Sequence, residues 1–137
     1  RHAVQSLYER RPAEQGFPAE LLEFLRHSGA PAAPEDLQLF ERILAEAQAT
    51  AKTWDGRVVF VYLPTWERYR LPELASKDRD NVLGIARRLK LYVMDMHEVF
   101  VTHPDPLSLF PFRRYAHYNE AGHKLVGEEV VRQLGKL

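Results

Sequence analysis

The sequence predicts an α/β fold, a parallel sheet with helices packed on both of its faces. Two observations carry this. The stretch "RVVFVYLP" (57–64) is β-branched, aromatic and almost unbroken in its apolar character, the pattern of a strand covered on both faces. A second short strand, "LYVMDM" (91–96), follows after a helical pattern, so the order reads α, α, β, α, β, loop, α. Strands alternating with helices imply crossover connections and a parallel sheet. Only two strands are evident, fewer than a doubly wound sheet needs. The chain therefore reads as the back half of such a domain.

The elements follow in order. Residues 1–16 are polar, without clear period, and read as a linker or frayed segment; the domain proper is expected over 17–137. "PAELLEFLRHSG" predicts a helix, with Pro18 in its first turn, Leu21, Leu22 and Leu25 on one face, and Ser28-Gly29 as the stop. "APAAP" (30–34) is a connector. The strongest helix is "PEDLQLFERILAEAQATAKTW", with an apolar stripe of Leu37, Phe40, Ile43, Leu44, Ala47 and Ala51. Glu35 and Asp36 suit the positive end of its dipole. Asp55-Gly56 is a turn, and Pro64 ends the first strand. "TWERYRLPELASK" reads as a loop. A helix is expected over about 78–90, with Val82, Ile85 and Leu89 inward. A long connection leads to a last helix, from near Asn119 to Leu134, whose inner stripe is Val126, Val130 and Leu134. Gly122 and Gly127 are expected at close approaches to a neighbour.

Bulk properties exclude several function classes. The 137 residues are 45% apolar, enough for one domain with a real core. Lys plus Arg number 19, as do Asp plus Glu, so no basic field argues for nucleic acid or an anionic membrane. The chain has no Cys, which removes disulfides and thiolate chemistry. No apolar run approaches the ~20 residues of a spanning helix. The chain starts "RHAVQ" without Met and reads as a trimmed or excised piece.

In open parallel sheets, ligands bind beyond the carboxyl ends of the strands. Three segments should meet there: "YLPTWERY", "DMHEVF" and the loop carrying His117. His117 comes two residues before Asn119, a preferred N-cap, and Glu120 suits the first helical turn. A general base must be a neutral imidazole, and the positive end of a helix favours that form. The alternative is a loop histidine that bonds locally.

His117-Tyr118-Asn119-Glu120-Ala121-Gly122 has the spacing H-x-N-x-x-G. It resembles the last block of SGNH (GDSL-like) hydrolases. "GRVVFVYLPTWERY" and "RDNVLGIARRLKLYVMDMHEVF" look like the late strands and helix of that family, so the resemblance spans roughly residues 35–134. It implies a three-layer α/β/α sheet of flavodoxin-like type, of which this is the C-terminal half. It implies acyl-ester hydrolysis or transfer on small-molecule or carbohydrate esters, with His117 as general base to a serine upstream of this chain. It implies no cofactor, and a place in the cell envelope or outside the cell.

The chain departs from the family pattern in two ways. Ser6, Ser28, Ser76 and Ser108 lie in no G-D-S block, and the family's oxyanion donors have no match. The chain alone should therefore be inactive. The family's acid, three residues before the histidine, is replaced by Arg114; Asp105 in "HPDP" is the nearest upstream carboxylate and the candidate to orient the ring, or else a turn residue. Trp66, Arg68 and Tyr69 are candidate substrate-binding residues, or aromatics that complete the core. Asp95, at the end of the second strand, is a ligand-facing acid or a holder of the turn after it. His97, His103, His117 and His123 match no metal-ligand spacing. A non-catalytic binding module of the same ancestry is the alternative function, and open sheet edges are expected to favour self-association.

Overall fold

The computed structural model describes residues 15–114 and 117–137, so most of the expected linker lies outside the described residues. The chain is mixed α/β, with helices α1 (Ala19–Ser28) and α2 (Pro34–Lys52), strand β1 (Val59–Tyr62), and helices α3 (Glu67–Arg70) and α4 (Arg79–Arg88). Strand β2 (Tyr92–Asp95), α5 (Met96–Phe100) and α6 (Glu120–Leu134) follow. Two tight turns, Pro106–Leu109 and Pro111–Arg113, lie between α5 and α6.

The sheet has two parallel strands, with Val59 beside Tyr92, Phe60 beside Val93, Val61 beside Met94 and Tyr62 beside Asp95. Successive side chains alternate faces. Val59, Val61, Tyr92 and Met94 therefore share one face, and all four belong to the core cluster that Leu125, Val126 and Val130 of α6 also join. The opposite face carries Phe60, whose ring meets Phe40 of α2 edge-on at 6.0 Å. Helix α4 links the strands and packs on both. The parallel pairing follows from this connection, since a strand returning through a helix enters in the same direction.

The core is built from Leu22 and Leu25 of α1, Leu71 and Leu74, Met94, Met96 and Phe100, and Leu109 and Phe110. Each such side chain contributes roughly 1.5–3 kcal/mol by leaving water. Gly29 closes α1 for a packing reason, because a Cβ there would stand 2.1 Å from the Leu74 carbonyl oxygen. The connector after it is held by Asp78, whose carboxylate accepts from the Ala32 amide at 2.7 Å.

Several expectations change. The strands are shorter than their apolar runs, and all four residues of β1 are half-exposed rather than covered on both faces. Among the described residues the sheet has two strands and no interior one, so each strand keeps an open side. The expected loop 65–77 contains α3. In α2, Ile43 is 53% exposed and Ala47 is exposed, leaving Leu37, Phe40, Leu44 and Ala51 to face inward. In α4 the buried residues are Leu83, Ile85 and Ala86, with Val82 and Leu89 half-buried. Leu134 is exposed, and Gly127 faces open space. At the Asp55-Gly56 turn it is Asp55 that takes the left-handed conformation, at φ 61°.

Candidate functional site

The paired residues Tyr62 and Asp95 mark the carboxyl edge of the sheet. The chain after β1 passes through buried Pro64, and there it meets the block before α6. The Tyr118 hydroxyl donates to the Pro64 carbonyl at 2.6 Å. Burial among aromatic rings pushes the Tyr118 hydroxyl pKa far up, with Tyr62 adding to it, so the group stays a donor.

Asn119 caps α6. Its side-chain oxygen accepts from the Gly122 amide at 3.0 Å, and its side-chain nitrogen donates to the Ser108 carbonyl at 2.8 Å. Its own amide donates to the Leu109 carbonyl at 3.0 Å. Gly122 is required because a Cβ there would lie 2.5 Å from that same carbonyl oxygen. Asn, Gly and Tyr of the H-x-N-x-x-G block thus lock the start of α6 onto the turn at 106–109 and onto the end of β1. His117 stands exposed at the head of this locked segment, and no described side chain bonds its ring.

The candidate orienting acid is committed elsewhere. Arg113 grips both carboxylate oxygens of Asp105, at 2.6 and 2.9 Å. This grip holds the Asp105 pKa below the usual carboxylate range. Asp105 also shapes its own turn, since its carbonyl accepts from the Ser108 hydroxyl at 2.7 Å. No bond joins it to His117 among the described residues. The turn-residue alternative describes it.

Of the candidate substrate-binding residues, Trp66 is 3% exposed and stacks on Phe17, which makes it core rather than a ligand wall. Arg68 donates to the Ser76 carbonyl at 2.6 Å and lies over the Tyr62 ring. Tyr69 is half-buried, with its hydroxyl 3.1 Å from His97 Nδ1 and its ring stacked on the imidazole. Trp66 thus packs in the core, while Arg68 and Tyr69 are partly buried and bonded to neighbouring elements.

A cluster not foreseen from sequence centres on Arg79. Its guanidinium bonds to Asp95 and, at 2.6 Å, to Glu98, and it lies over the Tyr62 ring at 5.9 Å. Asp95 also accepts from the His97 amide at 3.1 Å, capping α5. Asp95 therefore holds the turn, the second of its two expected roles. His97 is held below its ordinary pKa by burial, then by Arg79 and Arg68. Sixteen residues separate Arg79 from Asp95, and no local signal pairs them.

The described serines are engaged locally: Ser28 donates to Leu25, Ser108 to Asp105, and the Ser76 hydroxyl oxygen accepts from the Asp78 amide. Ser6 lies outside the described residues. Among the described residues no group of three His, Asp or Glu side chains is arranged to hold a metal ion, and no helix is long and apolar enough to cross a membrane. Comparison with protein-family models, curated proteins and solved structures gave no match.

Proposed function

We propose that this chain is the C-terminal portion of an SGNH/GDSL-like α/β domain of the three-layer, flavodoxin-like type. His117 would act in it as general base to a serine borne on a segment outside these residues. The reaction is hydrolysis or transfer of an acyl ester. The serine Oγ bonds to the ester carbonyl carbon, His117 takes the Oγ proton, and that proton passes to the departing alcohol. Water, or a second alcohol, then releases the acyl group by the same route.

The observation that supports this best is the construction of the H-x-N-x-x-G block. Each residue with a packing or capping duty in it, Tyr118, Asn119 and Gly122, has that duty fulfilled, while His117 has none among the described residues. The block is anchored to Pro64, at the sheet edge where α/β folds bind ligands. The half-covered strand β1 fits a sheet that continues beyond these residues. The alternative of a non-catalytic module draws on Arg114 in the acid's position and on the capture of Asp105 by Arg113.

A serine-directed fluorophosphonate separates the two readings. The expected result is no labelling of the 137-residue chain alone, and labelling of the polypeptide that includes the serine-bearing segment. His117→Ala should slow that labelling by about 10²–10⁴-fold, the worth of a positioned general base. Labelling of the short chain, or labelling indifferent to His117→Ala, would overturn the assignment.

A further inference from the structure

Three arginines converge beside the His117 loop without serving the chemistry just described. A hollow of about 240 Å³ is lined by Gln15, Gly16, Phe17, Arg70, Leu107, Phe112, Arg113 and Arg114. Among the described residues no acidic side chain lines it. Arg113 is neutralised by the fork onto Asp105. Arg70, at the end of α3, has no carboxylate partner among the described residues, and Arg114 lies over the Phe17 ring at 5.6 Å. The hollow thus carries two guanidiniums that have no carboxylate partner among the described residues, beside apolar side chains.

The backbone that presents these groups is strained. Phe112 and Arg113 both adopt the left-handed conformation, at φ 50° and 62°, which residues with a Cβ rarely occupy. Phe112 leaves 83% of its surface in water. The exposed Phe112 ring and the neighbouring arginines together make a surface that is apolar and cationic at once. The planar guanidinium fork matches the oxygens of a carboxylate or a phosphate in a way that a lysine does not. Arg114 is three residues from His117, so at most about 11 Å of chain separates them.

We propose that this hollow is an anion-binding subsite for the carboxylate or phosphate group of a ligand whose apolar stem lies against Phe17, Leu107 and Phe112. As a specificity subsite for an ester substrate it rests on the reading of His117 as base; as a binding site it stands without it. Arg114, in the position where an acid was expected, is then a recognition residue.

The experiment is a titration of the 137-residue chain with benzoate, phenyl phosphate, inorganic phosphate and neutral benzyl alcohol. Amide resonances of residues 112–114 and the fluorescence of Trp66, stacked on Phe17 at 5.7 Å, report binding. A Trp54→Phe background removes the exposed second tryptophan. The expected result is saturable binding of benzoate or phenyl phosphate, the better of the two naming the oxyanion. Arg70→Ala and Arg114→Ala should each weaken it about tenfold, the usual worth of a charge-assisted hydrogen bond. Arg88→Ala, whose guanidinium pairs with Glu41 elsewhere, should leave it unchanged. Arg70→Gln and Arg114→Gln, checked by thermal midpoint, guard against loss of fold.

Benzyl alcohol binding as tightly as both anions would overturn the proposal. So would unchanged affinity in the Arg70→Ala/Arg114→Ala double variant, or no saturable binding of any anion. His117→Ala should keep full anion affinity, so failure of the catalytic reading and failure of this one are read from different measurements.

Discussion

His97 illustrates how burial and charge set a single residue's behaviour. Its pKa is depressed by burial and by the neighbouring cations Arg79 and Arg68. The unfolded chain therefore binds a proton more readily than the folded one, and stability is fully present above the ordinary histidine value of 6.5. It drains away as pH falls below that value through the depressed folded one. Denaturant midpoints should fall between about pH 7 and 5, and His97→Gln should flatten that slope. An unchanged slope in the variant would show that other groups carry it. At the same scale the identity of the Tyr69–His97 pair was not legible in sequence. Twenty-eight residues separate them, and only the docking of α5 against α3 brings the hydroxyl to the imidazole.

Among the elements, α6 depends most on its beginning. Asn119 satisfies the Gly122 amide and braces the Ser108 carbonyl. Asn119→Ala should cost about 1–2 kcal/mol, from the lost cap and the lost brace together. Gly122→Ala should cost about 1–3 kcal/mol, because Leu109 must move to admit a methyl group. Urea unfolding of the two variants measures both, and a Gly122→Ala protein as stable as the parent would mean that the 106–109 turn yields freely. This helix start was legible, because Asn followed by Glu is a local signal. The existence of α3 was not. Four residues are too few to show a period, and Trp66, at the head of the turn, is buried in the core. The inward face of α2 was read two positions too generously, at Ile43 and Ala47, and that of α6 one position, at Leu134. Ile43 and Leu134 are apolar residues at the right spacing that no neighbouring element covers.

On the scale of the whole molecule, the governing feature is a sheet of two strands. Its apolar run "VVFVYL" suits an interior strand, yet β1 is half-exposed along its length. An open edge of that kind is a template for pairing with another chain. The 137-residue chain should therefore self-associate with rising concentration in sedimentation velocity. On the proposed reading, joining it to a serine-bearing segment that adds strands should return it to a single species. A stable monomer at all concentrations would speak against an unfinished sheet.

The sequence by itself determined the two strands, the four longer helices and their order. It also determined the parallel direction of the strands and the cap that places His117 ahead of α6. These depend on contacts within a few residues, or on a connection rule that any strand–helix–strand unit obeys. Only the tertiary structure decided which charges and rings meet. It turned Trp66 into core and gave Asp105 to Arg113. It also joined Arg79 to Asp95 and gathered Arg70, Arg113 and Arg114 around one hollow. The physical reason is that a side chain's partner is set by how elements pack across the molecule, and no period in the chain encodes a contact made across tens of residues.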